Sequence, residues 1–76
     1  QERLNTVTLP MGGRSVGKTF GSLALQAMGV EVVSLRRADG HPGRVDDDTV
    51  VQGGDTLVLR GMAPALALAE EKLLSG

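Results

Sequence analysis

Two short stretches of the chain carry residue types that could bind an anion. Residues 12–19 read GGRSVGKT and satisfy the pattern G-x-x-x-x-G-K-[ST], in which backbone amides face phosphate groups, the lysine supplies charge and the hydroxyl holds magnesium. The second stretch contains Arg36, Arg37, Asp39 and His41. Two guanidinium groups at a strand end can clamp a phosphate or a carboxylate through paired hydrogen bonds. These four residues are therefore the candidate ligand-binding site.

The surroundings of residues 12–19 argue against a nucleotide-binding loop. The strand expected before them ends at Pro10, whereas a nucleotide-binding loop follows a buried parallel strand. No later strand ends in the aspartate that a magnesium site needs, and 76 residues are about half of a usual single domain. We therefore predict a glycine turn and a capped helix with an exposed Lys18. A phosphate-binding fragment that uses Gly12 to Thr19 is the alternative.

The arginine stretch also has a simpler interpretation. A strand end beside a turn is commonly solvated, and on a single copy of the chain we favour that interpretation for Arg36 and Arg37. A two-fold axis nearby would bring four arginines to one cleft and favour a binding site. His41 on its own is more often a surface histidine than a ligand or a base.

The composition excludes several kinds of chemistry. The chain has no cysteine and one histidine, so neither a thiolate nor an imidazole metal site is expected. Residues 46–48 are three aspartates, but they lack the alternating pattern and the bidentate glutamate of a calcium loop. No hydroxyl side chain has a histidine that the sequence places as its base. We expect no catalytic residue, no cofactor and no enzymatic activity.

Charge and hydrophobicity limit the partners. The net charge is −1 and Phe20 is the only aromatic residue, so a basic face that tracks phosphates and a platform for stacking bases are both missing. No nucleic acid is expected as a partner. No apolar run approaches the roughly 20 residues that span a bilayer, and the absence of cysteine fits a reducing compartment. We expect a soluble, cytoplasmic domain.

Hydrophobic periodicity predicts one α+β domain with the element order β-α-β-β-β-α and a mixed or antiparallel sheet. Residues 1–4 are expected to form a linker and residues 5–76 the domain. The expected elements are a strand at 3–9, a helix from Val16 capped by Ser15 and ended by Gly29, a strand at 30–37, a short strand around Arg44 and Val45, an extended piece at 49–51, a strand at 56–60 and a helix at 65–74.

The strand at 30–37 predicts a partner subunit. Val30 and Val32 are expected to point to one face, and Val33 and Leu35 to the other, so the strand is apolar on both faces. A chain of this size buries only roughly 60% of the surface that its unfolded form exposes. It can barely cover both faces of a strand by itself. We therefore predict a homodimer.

Four motifs in the right order resemble the C-terminal domain of the TrkA and RCK (regulator of potassium conductance) proteins. The first is the strand at residues 7–9. VGKTF at residues 16–20 is similar to the family's V-G-K-T-L, GVEVVSLRR at 29–37 to G-V-x-V-V-A-I-x-R, and GGDTLVLRG at 53–61 to x-G-D-x-L-V-V-x-G. The resemblance spans nearly the whole chain. The resemblance also explains the G-K-T triplet, because G-K-T is ordinary at that helix start in the family and does not require nucleotide binding.

The resemblance implies a dimeric regulatory domain of a bacterial potassium channel, potassium uptake system or cation/proton antiporter. Its partners would be a second copy of the chain and the membrane part of the parent protein. In some relatives a cyclic dinucleotide binds between the two copies. Carried over by position, Arg36, Arg37, Asp39 and His41 would contact such a ligand. A purely structural dimerisation module with no ligand is the other alternative.

Overall fold

The fold is a four-stranded antiparallel sheet with helices on one face. A computed structural model describes residues 1–75, so the predicted domain end at Gly76 lies outside the described residues. The elements, in chain order, are β1 (Arg3–Thr8), α1 (Phe20–Leu23), a 3₁₀ helix (Leu25–Met28), β2 (Glu31–Arg36), β3 (Pro42–Gly43), β4 (Thr56–Gly61) and α2 (Ala63–Leu74). The predicted fold class and element order are confirmed.

The last strand in the chain, β4, lies in the middle of the sheet. The strand order is β1-β4-β2-β3, and every neighbouring pair is antiparallel. Because alternate residues of a strand face opposite sides, Leu57 and Leu59 enter the core, where both are fully buried. The final helix covers them with the predicted stripe of Leu66, Ala69 and Leu73, all 0% exposed.

No helix within the described residues covers the other side of the sheet. We call it the open face. Register and alternation place on it the outward residues of β1, β2 and β4, which are Leu4, Thr6, Thr8, Glu31, Val33, Ser34, Arg36, Thr56, Val58 and Arg60.

The prediction that Val33 and Leu35 share one face of β2, opposite Val32, is wrong, because a β-bulge interrupts the alternation. Val32 pairs with Leu59 and Leu35 pairs with Leu57, with a register shift between them. The extra residue of a bulge puts side chains three positions apart on the same face. Val32 and Leu35 therefore both face the core, and Val33 is left 42% exposed on the open face.

The predicted helix start at Val16 with a Ser15 cap is also wrong. The first helix begins at Phe20, and its N-cap is Thr19, whose Oγ1 accepts a hydrogen bond from the Ser22 amide at 3.1 Å. The preceding residues pair with a distant segment instead of forming a helical turn. The Lys18 carbonyl, for example, accepts from the Val51 amide at 2.8 Å.

The short strand predicted around Arg44 and Val45 lies two residues earlier, at Pro42–Gly43. The hairpin closes tightly because the Arg37 amide donates to the His41 carbonyl at 2.8 Å. Pairing therefore starts at once with Arg36 opposite Pro42. A β-carbon on Gly43 would lie 2.7 Å from the Leu35 side chain, so only glycine lets the edge strand approach here.

The first helix is broken at Ala24. This residue has φ 54° and ψ 41°, in the left-handed region, and it joins α1 to the 3₁₀ helix. The predicted end at Gly29 is confirmed, since Gly29 has φ 83° and caps the 3₁₀ helix. The left-handed conformation raises the conformational energy of an alanine by roughly 1–2 kcal/mol, whereas glycine adopts it without this strain.

Replacing Ala24 by glycine is expected to stabilise the domain. Relief of the left-handed strain exceeds the roughly 0.4–1 kcal/mol lost through the freer unfolded chain, so a net gain of about 0.5–1 kcal/mol is expected. Ala67→Gly, in the exposed middle of α2, is the control and should cost about 1 kcal/mol. Urea denaturation followed by circular dichroism measures both. A destabilised Ala24→Gly protein contradicts the expectation.

Candidate functional site

The four predicted site residues lie at the end of β2 and in the hairpin turn that follows it. Asp39 and His41 contact each other in this turn, where the Asp39 carboxylate accepts from the His41 amide at 3.0 Å and lies 3.1 Å from Nδ1 of its ring. The Arg36 guanidinium donates to the carbonyl of Gly40. The structure therefore brings Arg36, Asp39 and His41 together around the hairpin tip.

Arg37 points away from the hairpin tip, because successive residues of a strand alternate between faces. Its Nη1 donates to Asp55 Oδ2 at 2.7 Å and to the Val50 carbonyl at 3.1 Å. The side chain of Arg37 is 25% exposed, whereas that of Asp55 is 1% exposed. The two adjacent arginines therefore do not form one clamp on a single copy of the chain.

Asp55 is the partner that the sequence analysis missed. Its Oδ2 also accepts from the Gln52 amide at 2.8 Å, and its own carbonyl accepts from the Leu9 amide at 2.8 Å. Oδ1 is buried and has no hydrogen-bond partner among the described residues. The buried carboxylate thus depends on Arg37 for its countercharge. The only hint in the sequence is an aspartate directly before a strongly apolar strand.

The electrostatics of the hairpin tip are balanced. Hydrogen bonds from the backbone and then the side chain of His41 lower the pKa of Asp39. The tip therefore carries a negative charge on Asp39 as well as the positive charge of Arg36, whose guanidinium contacts the Gly40 carbonyl. A single copy of this tip offers an anion little net positive potential. Two copies, or a ligand that also accepts hydrogen bonds from backbone amides, would be needed for strong binding.

The stretch at residues 12–19 does not form a phosphate cradle. The amides of residues 13, 14, 16, 17 and 18 donate to the backbone carbonyls of Pro10, Ser75, Gly13, Val51 and Ser15. A phosphate-binding loop needs those amides free to face the ligand. Ser15 is buried, and Lys18 is exposed as predicted. The stretch is a structural turn that ties the start of the first helix to Val51.

A cleft of about 470 Å³ lies between the broken first helix, the start of β2 and the loop after β3. Among the described residues that line it, none is basic, and the charged ones are Glu31, Asp46 and Asp47. Glu31 already pairs with Arg60 at 2.6 Å, and Asp46 with Arg44 at 3.1 Å. The cleft is therefore unsuited to an anionic ligand, and the hairpin tip is the better candidate.

Within residues 1–75 the chain forms neither a metal-binding cluster nor a membrane-spanning helix. No group of three or more histidine, cysteine, aspartate or glutamate side chains there is arranged to hold a metal ion. None of the helices in this part of the chain is both long and apolar enough to cross a membrane.

The fold and the hairpin tip define a small two-layer α+β domain with a polar surface site. A sequence model of the TrkA-C domain matches residues 4–74, and the chain belongs to the TrkA-C domain family. No curated protein matches the chain. Domains of this family are regulatory, generally without enzymatic activity, and occur in potassium or other cation transport proteins. They typically associate with transport proteins and with each other.

The contrasting contacts of the two arginines predict different effects on stability. Arg37→Gln leaves the Asp55 carboxylate buried without a countercharge and should lower the free energy of unfolding by about 3 kcal/mol. Arg36→Gln removes only an exposed contact and should change it by less than about 0.5 kcal/mol. Urea denaturation of the two variants measures the difference. Equal effects would show that Asp55 does not rely on Arg37.

Backbone amides within residues 12–19 are already hydrogen-bonded to carbonyls of the chain. We therefore expect that Lys18 does not contribute to nucleotide binding and is dispensable for the fold. Lys18→Ala should leave fold and oligomeric state unchanged and alter stability by at most about 0.5 kcal/mol, since the side chain is exposed. Calorimetry with millimolar ATP and magnesium should detect no binding to the wild-type chain. Micromolar ATP binding that disappears in Lys18→Ala would instead support the nucleotide-binding alternative.

Proposed function

We propose that the chain is the cytosolic, ligand-sensing regulatory domain of a bacterial potassium or cation/proton transport protein and that it acts as a homodimer. The observation that carries this proposal is the TrkA-C match over residues 4–74, together with the α+β fold. The domain works by binding and not by chemistry. The hydrogen-bonded turn at residues 12–19 supports this, because it leaves the most obvious enzymatic motif without a phosphate site.

The ligand is a small anion, such as a cyclic dinucleotide, held where two copies of the hairpin tip meet. Arg36 is its main contact, because its guanidinium is exposed and is tied only to the carbonyl of its own turn. The turn that contains Asp39 and His41 shapes the site. Arg37 does not contact the ligand; it pairs with Asp55 and holds the end of β2 in place. The sequence-based prediction treated the two arginines as equivalent, and this proposal ranks Arg36 above Arg37 as a ligand contact.

Regulation follows from a shift in the geometry of the dimer. A ligand that contacts both copies favours the arrangement in which the two hairpin tips are close. It biases the attached membrane part by its difference in affinity for the two arrangements, commonly about 1–3 kcal/mol.

A thermal-shift screen of cyclic di-AMP, cyclic di-GMP and common nucleotides tests the proposal. A ligand that binds only the folded state raises the melting temperature. Arg36→Gln should weaken a true ligand at least tenfold, because each charge-assisted hydrogen bond contributes about 1.5–3 kcal/mol. Arg44→Gln is the matched control: its side chain is 90% exposed and pairs only with Asp46, so binding should be retained.

Two outcomes would contradict the ligand site. Binding that survives Arg36→Gln would move the site away from the hairpin tip. The absence of any stabilising compound would favour the structural dimerisation module. Arg37→Gln is not a suitable probe, because loss of the buried ion pair would lower stability whether or not a ligand binds.

A further inference from the structure

The cleft beside the broken first helix is of a size that suits a small molecule. Its volume is about 470 Å³, and small-molecule sites commonly have volumes of roughly 300–1,000 Å³. Phe20, Leu25 and Val30 line it from the helical side and are buried, and Val45 lines it from the loop after β3 and is 40% exposed. The cleft therefore presents apolar side chains from both of its walls.

Backbone hydrogen bonds hold the two walls of the cleft together. The Gly21 amide donates to the Asp47 carbonyl at 3.0 Å, and the Phe20 amide donates to the Thr49 carbonyl at 3.0 Å. A β-carbon on Gly21 would lie 3.1 Å from the Asp47 carbonyl oxygen, so the glycine permits this close approach. Asp47 is therefore fixed beside the first helix, and a ligand need not first order the loop that carries it.

The charge at the cleft is negative and only partly compensated. Its charged lining residues are Glu31, Asp46 and Asp47. Arg60 pairs with the first and Arg44 with the second, whereas no ion pair within residues 1–75 involves Asp47. A ligand with one positive charge would supply the countercharge that the chain does not provide for Asp47.

This combination of apolar walls and one unpaired carboxylate distinguishes between ligand classes. An anion would be repelled by the carboxylates, and a neutral apolar molecule would make no use of Asp47. An inorganic cation would gain nothing from the apolar walls, and no group of three or more acidic, histidine or cysteine side chains within residues 1–75 is arranged to hold a metal ion. The cleft is complementary to an organic cation with an apolar body.

We propose that the cleft binds a small organic cation, an ammonium or guanidinium group on an apolar body. The cationic group lies at Asp47, and the apolar body packs against Phe20 and Val45. This second site shares no residue with the hairpin tip. It therefore does not depend on the anion site of the proposed function.

Alkyl probes of matched length test the site by two-dimensional NMR titration of the whole chain. Hexylamine is protonated at about pH 7, like a lysine side chain, and should shift the amides that line the cleft with the lowest Kd. Hexanol has the same chain without the charge and should bind more weakly, and hexanoate should bind most weakly because like charges repel. Ethylammonium keeps the charge without most of the apolar surface and should also bind more weakly than hexylammonium.

Two neighbouring aspartates provide a matched pair of variants. Asp47→Asn should raise the hexylammonium Kd about two- to fivefold, as expected for loss of an exposed ion pair, and should leave the hexanol Kd unchanged. Asp48→Asn is the control, because Asp48 is also exposed but does not line the cleft. It changes the net charge equally and should raise the hexylammonium Kd much less.

Three results would overturn the cation site. The first is hexylammonium binding that is absent at millimolar concentrations or shifts amides away from the cleft. The second is an affinity for hexylammonium no higher than that for hexanol or ethylammonium. The third is an equal effect of the two aspartate variants, which would show only a general attraction to the acidic loop. None of these results bears on Arg36 or on the proposed anion site.

Discussion

The ion pair between Arg37 and Asp55 is the contact on which the rest of the structure depends most. It joins the end of β2 to the residue directly before β4, and the same carboxylate holds the Gln52 amide. A carboxylate that is 1% exposed has lost nearly all of its hydration, a cost of several kcal/mol that only a close cation and hydrogen bonds offset. The ion pair therefore fixes the position of the residue directly before β4, and the strand that follows places Leu57 and Leu59 in the core.

Because of this pair, the two neighbouring arginines have different roles: Arg37 holds the buried Asp55 carboxylate, and Arg36 remains exposed. A strand turns successive side chains to opposite faces, so one guanidinium reaches the buried carboxylate and the other reaches the open face. Identical chemistry thus has different consequences at Arg36 and Arg37. An anion that drew Arg37 outward would leave Asp55 unpaired, and that penalty opposes binding. An anion at Arg36 displaces only a hydrogen bond that water can replace.

The sequence was sufficient where the signal was local and insufficient where the deciding contact was distant. Strand β4 and helix α2 follow from their apolar periodicity, and Gly29 ends its helix because glycine adopts a positive φ freely. The start of the first helix depends instead on hydrogen bonds between residues 17–18 and Val51. The bulge in β2 depends on its register against β4. The Arg37–Asp55 contact spans 18 positions, so no local pattern predicts it, whereas the turn after β2 is predictable from the dipeptide Asp39-Gly40.

The proposed anion contact lies beside the open face of the sheet. Arg36 pairs with Thr56 and Val58 lies two residues further along β4, so the anion contact borders the centre of the open face. In the proposed homodimer, a ligand held between the two hairpin tips contacts both copies. Ligand binding and dimerisation would then each raise the affinity for the other by the same factor, as linkage requires. A weakly associating domain would suit this purpose, because a coupling of about 1–3 kcal/mol shifts a weak dimer, whereas a permanently closed dimer does not respond to it.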